Sequence, residues 1–345
     1  MTKKEINNLK FDELENEITH LGYEKYRSKQ IFEFIHKQKV DTFEAMNNIP
    51  KDIKEQLNIY FTFNTIKIYD AYKSKKDGTV KFLFQLDDKN IIESVVMKYK
   101  YGYTQCISTQ VGCKMGCKFC ASTKDGFIRN LSAAEMLEQV YRAENYLNMK
   151  VKNIVLMGSG EPLDNYENVI NFLHLINDQR GHNTSLRNIT LSTCGIVEKI
   201  NELADENLPV TLSLSLHSPF DSRRQLIMPI SKKYKLDDII DSIRRYYFKT
   251  KRRVTFEYTL IKGFNDRIED VEMLKEYTKG IDVHINIIPI NPIKEYKTNI
   301  PSNEDVINFS KMLKNKGIKS TIRREMGSDI SASCGQLKRS IALNK

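Results

Sequence analysis

The sequence predicts an α/β protein: an incomplete barrel, (β/α)6 in type, that carries a small helical domain at its N-terminus. Three observations lead there. From residue 104 onward, short β-rich runs alternate with amphipathic stretches, as expected of a parallel sheet with crossover helices. The alternation repeats about six times, short of the eight units that close a barrel. Before residue 60 the apolar residues recur at helical spacing, as in Phe11, Leu14, Ile18 and Leu21, the mark of an amphipathic helix.

Taken in order, Ile31, Phe32, Phe34 and Ile35 continue the helical pattern, and Pro50 opens another short helix. Across 70–97 the pattern becomes strand-like. VKFLFQL and NIIESVVM are separated by the turn formers Asp87, Asp88 and Asn90, which reads as a hairpin between two domains. The expected division is 1–90, a helical domain with its hairpin linker, and 91–345, the barrel with a C-terminal loop. The expected barrel strands are TQCIST (104–109), NIVLMG (153–158), NITLST (188–193), VTLSLSLH (210–217), VTFEYTL (254–260), VHINIIP (283–289) and STIRR (320–324). Helices are expected near 132–147, 166–178, 196–206, 235–248, 267–279 and 303–316.

At 345 residues and 40% apolar content, the chain has ample material for a core. MTKKEINNLK contains no apolar stretch, and no eighteen apolar residues run together, so a cytoplasmic protein without a membrane span is expected. Lys and Arg total 54 against 44 Asp and Glu, a net charge of +10. The positive residues fall in groups: Lys73, Lys75 and Lys76; Lys98 and Lys100 among Tyr99, Tyr101 and Tyr103; Lys249, Lys251, Arg252 and Arg253; Arg323 and Arg324. Cations interleaved with aromatic rings suit phosphate contact and base stacking. On charge alone, a solvated lysine-rich surface explains them equally well.

Three of the six cysteines stand in CKMGCKFC, at Cys113, Cys117 and Cys120. Three thiolates on a [4Fe–4S] cluster leave one iron open, and the amino and carboxylate groups of S-adenosylmethionine (SAM) can fill it. Structural zinc takes four protein ligands, but no second CxxC pair is present and no His falls in the next fifty residues. Zinc and plain buried thiols stay open as readings of this run alone. Clustered rather than dispersed thiols fit a reducing compartment.

The polar punctuation falls on one rim. Residues 113–120 follow the first barrel strand, GSGEP (158–162) ends the second, STCG (192–195) the third and SLH (215–217) the fourth, while Asn291 lies past the sixth. Ligands of parallel α/β sheets collect at the carboxyl ends of strands. Gly158 and Gly160 would let backbone approach a ligand, and Glu161 would set a carboxylate beside the methionyl ammonium. Ser192, Ser215, His217 and Asn291 offer neutral hydrogen bonds to ribose, adenine and carboxylate. Singly, each is also explained as a turn, a helix entry or a core histidine. Cys106 precedes the cysteine run, and Cys334 stands in the polar loop GSDISASCGQL (327–337), a good setting for a mobile nucleophile. Either alone also reads as a buried thiol.

ESVVM, CISTQVGCKMGCKFCAS, GSGEPLDNYENV, LSTCGIV, SLSLHSPFDSRRQLIMPI, INIIPINP and SDISASCGQL occur in that order. Together they resemble the radical SAM adenosine methyltransferases of ribosomal RNA, over about residues 10–340. That family holds the dual-specificity 23S rRNA and tRNA (adenine-C2)-methyltransferases and an antibiotic-resistance branch acting at adenine C8. GSGEP is similar to the C2 branch's GMGEP, with Ser159 in place of Met; the HSP of SLHSP leans to the C8 branch.

The resemblance implies a radical SAM barrel in which Cys113, Cys117 and Cys120 ligate a [4Fe–4S] cluster. Gly160, Glu161, Ser192, Ser215, Leu216, His217 and Asn291 would bind SAM. It implies further that Cys334 carries the methyl group, Cys106 resolves a covalent RNA adduct through a transient disulfide, and Glu93 accepts a proton. Two SAM molecules per turnover are implied, with a flavodoxin or ferredoxin as electron donor and a monomeric enzyme. The substrates would be 23S rRNA at the peptidyl transferase centre and tRNA beside the anticodon, and 1–90 would bind RNA. Cys194 is left to packing. The alternatives are C8 methylation, a radical SAM activase that makes a glycyl radical, and a non-catalytic RNA-binding module with a structural metal.

Overall fold

The computed structural model describes residues 3–291, 296, 298–337 and 340–341. The chain opens with β1 (Lys4–Glu5), α1 (Phe11–His20), α2 (Lys25–His36) and α3 (Lys51–Tyr60), and β2 (Phe61–Thr62) returns to pair in parallel with β1. Each helix buries one stripe: Leu14 and Ile18, then Ile31, Phe32 and Ile35, then Ile53 and Leu57. These spacings of three and four residues are those of amphipathic helices. The stripes join the core of the rest of the chain. Polar contacts cross the junction as well, with His36 Nδ1 3.1 Å from Tyr141 Oη and Asn171 Nδ2 donating to Asn8 O at 2.9 Å.

An antiparallel meander follows, β3 (Lys67–Lys73), β4 (Val80–Gln85) and β5 (Asn90–Tyr99), and β5 pairs antiparallel with β6 (Gly102–Cys106). A small hairpin, β7 (Gln110–Gly112) with β8 (Phe127–Asn130), brackets the cysteine run. The βα succession is then α4 (Ala133–Leu147), β9 (Val151–Leu156), α5 (Tyr166–Asn177), β10 (Ile189–Thr193), α6 (Val197–Glu206) and β11 (Thr211–Ser215). It continues through α7 (Asp221–Ile227), α8 (Leu236–Thr250), β12 (Val254–Leu260), α9 (Ile268–Thr278), β13 (Val283–Pro289), α10 (Asn303–Asn315) and β14 (Ser320–Ile322), and β15 (Ser340–Ile341) closes the order.

Strands run across the main sheet in the order β3-β4-β5-β6-β9-β10-β11-β12-β13-β14, with β15 antiparallel on the start of β5. From β6 to β14 every neighbour is parallel. Among the described residues the edges β3 and β14 do not pair, so the barrel is open, as the sequence implies. The meander extends the same sheet. Strands with both faces covered lose the alternation of polar and apolar residues, and β12 is buried at every position.

Candidate active site

A cleft of about 910 Å3, counting space open to solvent, lies at the carboxyl ends of the parallel strands. Cys113, Cys117 and Cys120 line one side, and Gly160, Glu161, Ser192, Ser215, His217, Asn291 and Cys334 line the rest. The sequence-expected rim is therefore one physical surface. Leu216 stands behind it, fully buried, with its backbone N donating to Glu257 O at 3.1 Å.

The cysteine loop is held from several sides. Cys113 N donates to Gly126 O at 3.2 Å, and Lys118 N donates to Ile227 O at 2.9 Å. A Cβ on Gly112, whose φ is +74°, would stand 1.8 Å from Gly126 O, so only glycine lets the β7–β8 hairpin close. Burial pushes the Cys113 thiol up to about 12, Cys117 well above its ordinary value, and Cys120 upward too. Each of the three also feels a neighbouring thiol of the set or, for Cys120, that of Cys334. Among the described residues no three His, Cys, Asp or Glu side chains gather closely enough to hold a single ion. Three thiols around one cleft suit a multi-iron cluster, whose binding would supply the positive charge that buried thiolates need.

The glycines of GSGEP serve packing first. A Cβ on Gly158 would lie 2.6 Å from Ile107 O, and one on Gly160, at φ +107°, 2.6 Å from Gln110 Cβ. Their bare faces are turned to the segment after β6, and the strand end can lie against it only without side chains. Ser159 does not line the cleft; its Oγ is buried and has no hydrogen-bond partner among the described residues. Glu161 Oε2 accepts from Cys194 N at 2.8 Å and Oε1 from Leu163 N at 3.2 Å. Burial nevertheless raises its pKa. The carboxyl thus ties the end of β9 to the end of β10 while facing the cleft.

Ser192 Oγ and Ser215 Oγ are 3.3 Å apart on adjacent strand ends. His217 is buried at φ +55°, and burial lowers its pKa to about 3. Its Nδ1 accepts from Thr259 N at 3.0 Å, which makes Nε2 the protonated nitrogen and a donor. Phe119 meets the imidazole edge to face, centroids 4.8 Å apart.

One residue of this wall was not singled out from sequence. Arg224 is fully buried, and its guanidinium donates to Leu216 O (3.0 Å), Ser215 O (2.9 Å), Cys194 O (2.6 Å) and Ser231 Oγ (2.8 Å). It staples the ends of β10 and β11 and sets a positive charge facing the Cys117 and Cys194 thiols. A burial pattern would have been needed to find it, because surface arginines look the same in sequence.

Cys334 also faces a second cavity, lined by Cys106, Val95, Met97, Tyr99, Arg323 and Arg324 among others. The two thiols, 228 positions apart in the chain, thus share one chamber. The disulfide expected between them is absent, and all six cysteines are free. Burial pushes Cys106 up to about 12, which keeps it a thiol. Asn291 Nδ2 donates to Cys334 O at 2.9 Å. Arg323 lines both cavities; the field of Cys334 foremost, with Glu257, Cys106 and Tyr99, raises its pKa against the effect of burial. Cys194 packs with Cys113, Met115 and Met228 and also lines the cleft. Glu93 shares its face of β5 with Val95 and Met97, is buried, and pairs with Lys81 Nζ at 3.6 Å.

Comparison with known proteins agrees with this layout. Residues 107–274 match the Radical SAM superfamily and residues 4–62 the Ribosomal RNA large subunit methyltransferase N-terminal domain. The chain is 51% identical, over 99% of both chains, to the "Probable dual-specificity RNA methyltransferase RlmN" of Clostridium novyi (strain NT). It is 50% identical, over 98% of both chains, to the protein of the same name from Alkaliphilus oremlandii (strain OhILAs). A crystal structure of a radical SAM methyltransferase from Sphaerobacter thermophilus superposes with a TM-score of 0.92 at 38% identity, covering 97% of this chain and 99% of that one. With likeness of that depth along its whole length, the chain belongs to the RlmN family of dual-specificity radical SAM RNA methyltransferases.

Proposed function

We propose that this protein methylates C2 of an adenosine in 23S rRNA and of an adenosine in tRNA, by way of a methyl group carried on Cys334. The observation that carries the reading is that Cys334 faces two cavities at once, one holding the three clustered thiols and the other Cys106. A methyl carrier needs access to the source of the methyl group and to the thiol that frees the product.

Cys113, Cys117 and Cys120 would hold the [4Fe–4S] cluster, and Gly160, Glu161, Ser192, Ser215, Leu216, His217 and Asn291 would hold SAM; together, when bound, these groups supply the 5′-deoxyadenosyl radical. The neutral His217, a lining residue of the cleft with its proton on Nε2, would offer a donor there without adding a charge to compete with a sulfonium. Cys334 takes a methyl group on sulfur and, after losing a hydrogen atom from it, forms the carbon–carbon bond to the base. Once the adduct has given up one electron, Glu93 accepts the proton that leaves C2. The Cys106 thiolate attacks the Cys334 sulfur so that a transient S–S bond replaces the bond from sulfur to the new carbon, and the freed methylene takes up a proton to become the methyl group. Two SAM molecules are consumed per turnover, one for the methyl group and one for the radical.

In this reading residues 1–90 grip RNA and 91–345 carry the chemistry. The protein works as a monomer in the cytoplasm, fed electrons by a flavodoxin or ferredoxin. Among the described residues no helix is long and apolar enough to cross a membrane. The test is anaerobic incubation of the reconstituted protein with SAM, reductant and a 23S rRNA fragment, followed by nucleoside mass spectrometry. 2-Methyladenosine is expected. 8-Methyladenosine would move the protein to the other branch, and 5′-deoxyadenosine without any methylated nucleoside would overturn the reading.

A further inference from the structure

The turn between β5 and β6 presents an aromatic pair that the chemistry above leaves unused. Tyr99 ends β5 and Tyr101 stands in the turn; their rings are stacked, with centroids 5.1 Å apart and planes 5° from parallel. Tyr101 is 56% exposed, so one face of its ring rests on Tyr99 while much of the side chain meets solvent. Tyr99 is the inner member. It lines the cavity that contains Cys106 and Cys334 and packs against the Val95 and Met97 cluster. Tyr101 lies outside that lining, and the pair makes a step from the reaction chamber to the surface.

Positive charge surrounds the step. Arg323 and Arg324 line the same cavity, and both counter the upward effect of burial on the Tyr99 hydroxyl. Lys98 Nζ lies 6.0 Å from the centroid of the Tyr103 ring, and Lys100 is the residue between the two stacked tyrosines. The acidic side chain in the cavity lining, Glu325, accepts from Ser333 Oγ at 3.3 Å. Aromatic faces beside cations are how unpaired nucleic acid is held: the ring accepts any base, and the cations meet the backbone.

We propose that the Tyr99–Tyr101 pair is a stacking platform for an unpaired nucleobase next to the target adenosine, with Arg324 and Lys100 meeting its phosphate. The proposal rests on the RNA methyltransferase reading and adds the subsite that seats a neighbour while the target enters the chamber. The occupant is a neighbour because Tyr101 stands outside the chamber that holds the two thiols. It is unpaired and unstacked on at least one side, because a base inside a duplex has no free face to offer.

The test is binding of the full-length protein to a synthetic RNA hairpin whose loop presents an unpaired adenosine between two unpaired neighbours. A matched hairpin has abasic sites in place of those neighbours. Tyr101→Ala should weaken binding of the first RNA about tenfold, as loss of one stacked base does, and leave binding of the abasic RNA unchanged. Tyr101→Trp should bind the first RNA as wild type does. Equal weakening for both RNAs, or none for the first, overturns the platform. Thermal unfolding of each variant guards against a folding artefact. Should wild type yield no methylated nucleoside, the methyltransferase reading fails while these binding comparisons still report on the platform.

Discussion

Replacing Gly160 with Ala puts a Cβ where Gln110 already stands, 2.6 Å from Gln110 Cβ and 2.8 Å from its backbone N. Gln110 cannot step aside. Its Nε2 donates to Asn130 Oδ1 and Asp164 Oδ2, each at 2.8 Å, its Oε1 accepts from Glu161 N at 2.9 Å, and its backbone N donates to Ser159 O at 3.1 Å. Overpacking against a fixed neighbour costs about 1–3 kcal/mol. The backbone adds a second penalty, since φ of +107° is a region where other residues lose of order 1–3 kcal/mol. Together the loss is about 4 kcal/mol, which at about 2 °C per kcal/mol lowers the melting temperature by roughly 8 °C. Gly263→Ala is the matched control: φ is +74° with nothing within 4 Å of the added Cβ, so only a backbone cost of about 1–2 kcal/mol applies. Differential scanning fluorimetry of the cofactor-free proteins reads both. Because Gln110 also holds Glu161 N, SAM binding by equilibrium dialysis should weaken in Gly160→Ala alone. A Gly160→Ala protein that melts no lower than Gly263→Ala would refute the packing argument.

Cys334→Ala should form neither methylated protein nor RNA adduct. Cys106→Ala should instead accumulate RNA covalently attached through Cys334, seen as a nuclease-sensitive shift on a denaturing gel, and normal turnover by that variant would remove Cys106 from product release. Ser159→Ala deletes a buried hydroxyl that has no partner among the described residues and should be neutral or stabilise by up to about 1 kcal/mol in urea unfolding; a clear loss would reveal a partner for that oxygen. Burial holds the His36 pKa at about 3, against an ordinary value of 6.5. The unfolded chain therefore takes up a proton that the folded one refuses, and stability falls as pH drops below 6.5, by roughly 2 kcal/mol at about pH 5. Glu138, raised to about 7 by burial, acts with the opposite sign, so the measurement is a difference: His36→Asn should lose stability less steeply than wild type from about pH 7 to 5. Equal slopes would count against a neutral His36 in the fold.

VTFEYTL and VHINIIP form strands over the residues their pattern implies, Val254–Leu260 and Val283–Pro289, because buried parallel strands are short, β-rich and bounded by polar residues. TQCIST is shorter than its pattern. The main ladder stops at Cys106 because Ser108 N turns to Gln139 Oε1 and Thr109 N to Ser159 O, partners more than 30 residues away. The β7–β8 hairpin left no trace in the pattern, being three and four residues long and dependent on Gly112 meeting Gly126. The seven-residue α7, in SPFDSRRQLIM, is too short for helical periodicity to emerge. At the site, the rim was legible because Gly, Ser, His and Asn interrupt apolar runs at equivalent places. The shared chamber of Cys106 and Cys334 could be argued only from the resemblance, since nothing local relates two residues so far apart. Glu161 shows the same limit: its carboxyl faces the cleft, but its bonds to Leu163 N and Cys194 N arise from the meeting of two strand ends.

The segment around Cys334 is clasped from two directions. Gly327 N donates to Asp77 Oδ2 at 2.9 Å and Ser74 Oγ to Asp329 Oδ1 at 2.7 Å, while Ala121 N donates to Gly335 O at 2.8 Å and Ser122 Oγ to Leu337 O at 2.6 Å. The partners in these four contacts are synthesised more than 200 residues earlier. On the ribosome, the residues of the sheet from β3 to β14 and the clustered thiols are already made before Cys334, the proposed methyl carrier, leaves the exit tunnel. A chain terminated before residue 327 would still contain the thiols and strand ends proposed to hold the cofactors, but not the sulfur proposed to receive the methyl group. A stop between β14 and Cys334 is thus more hazardous than one before β5, because it separates the proposed radical source from its proposed acceptor.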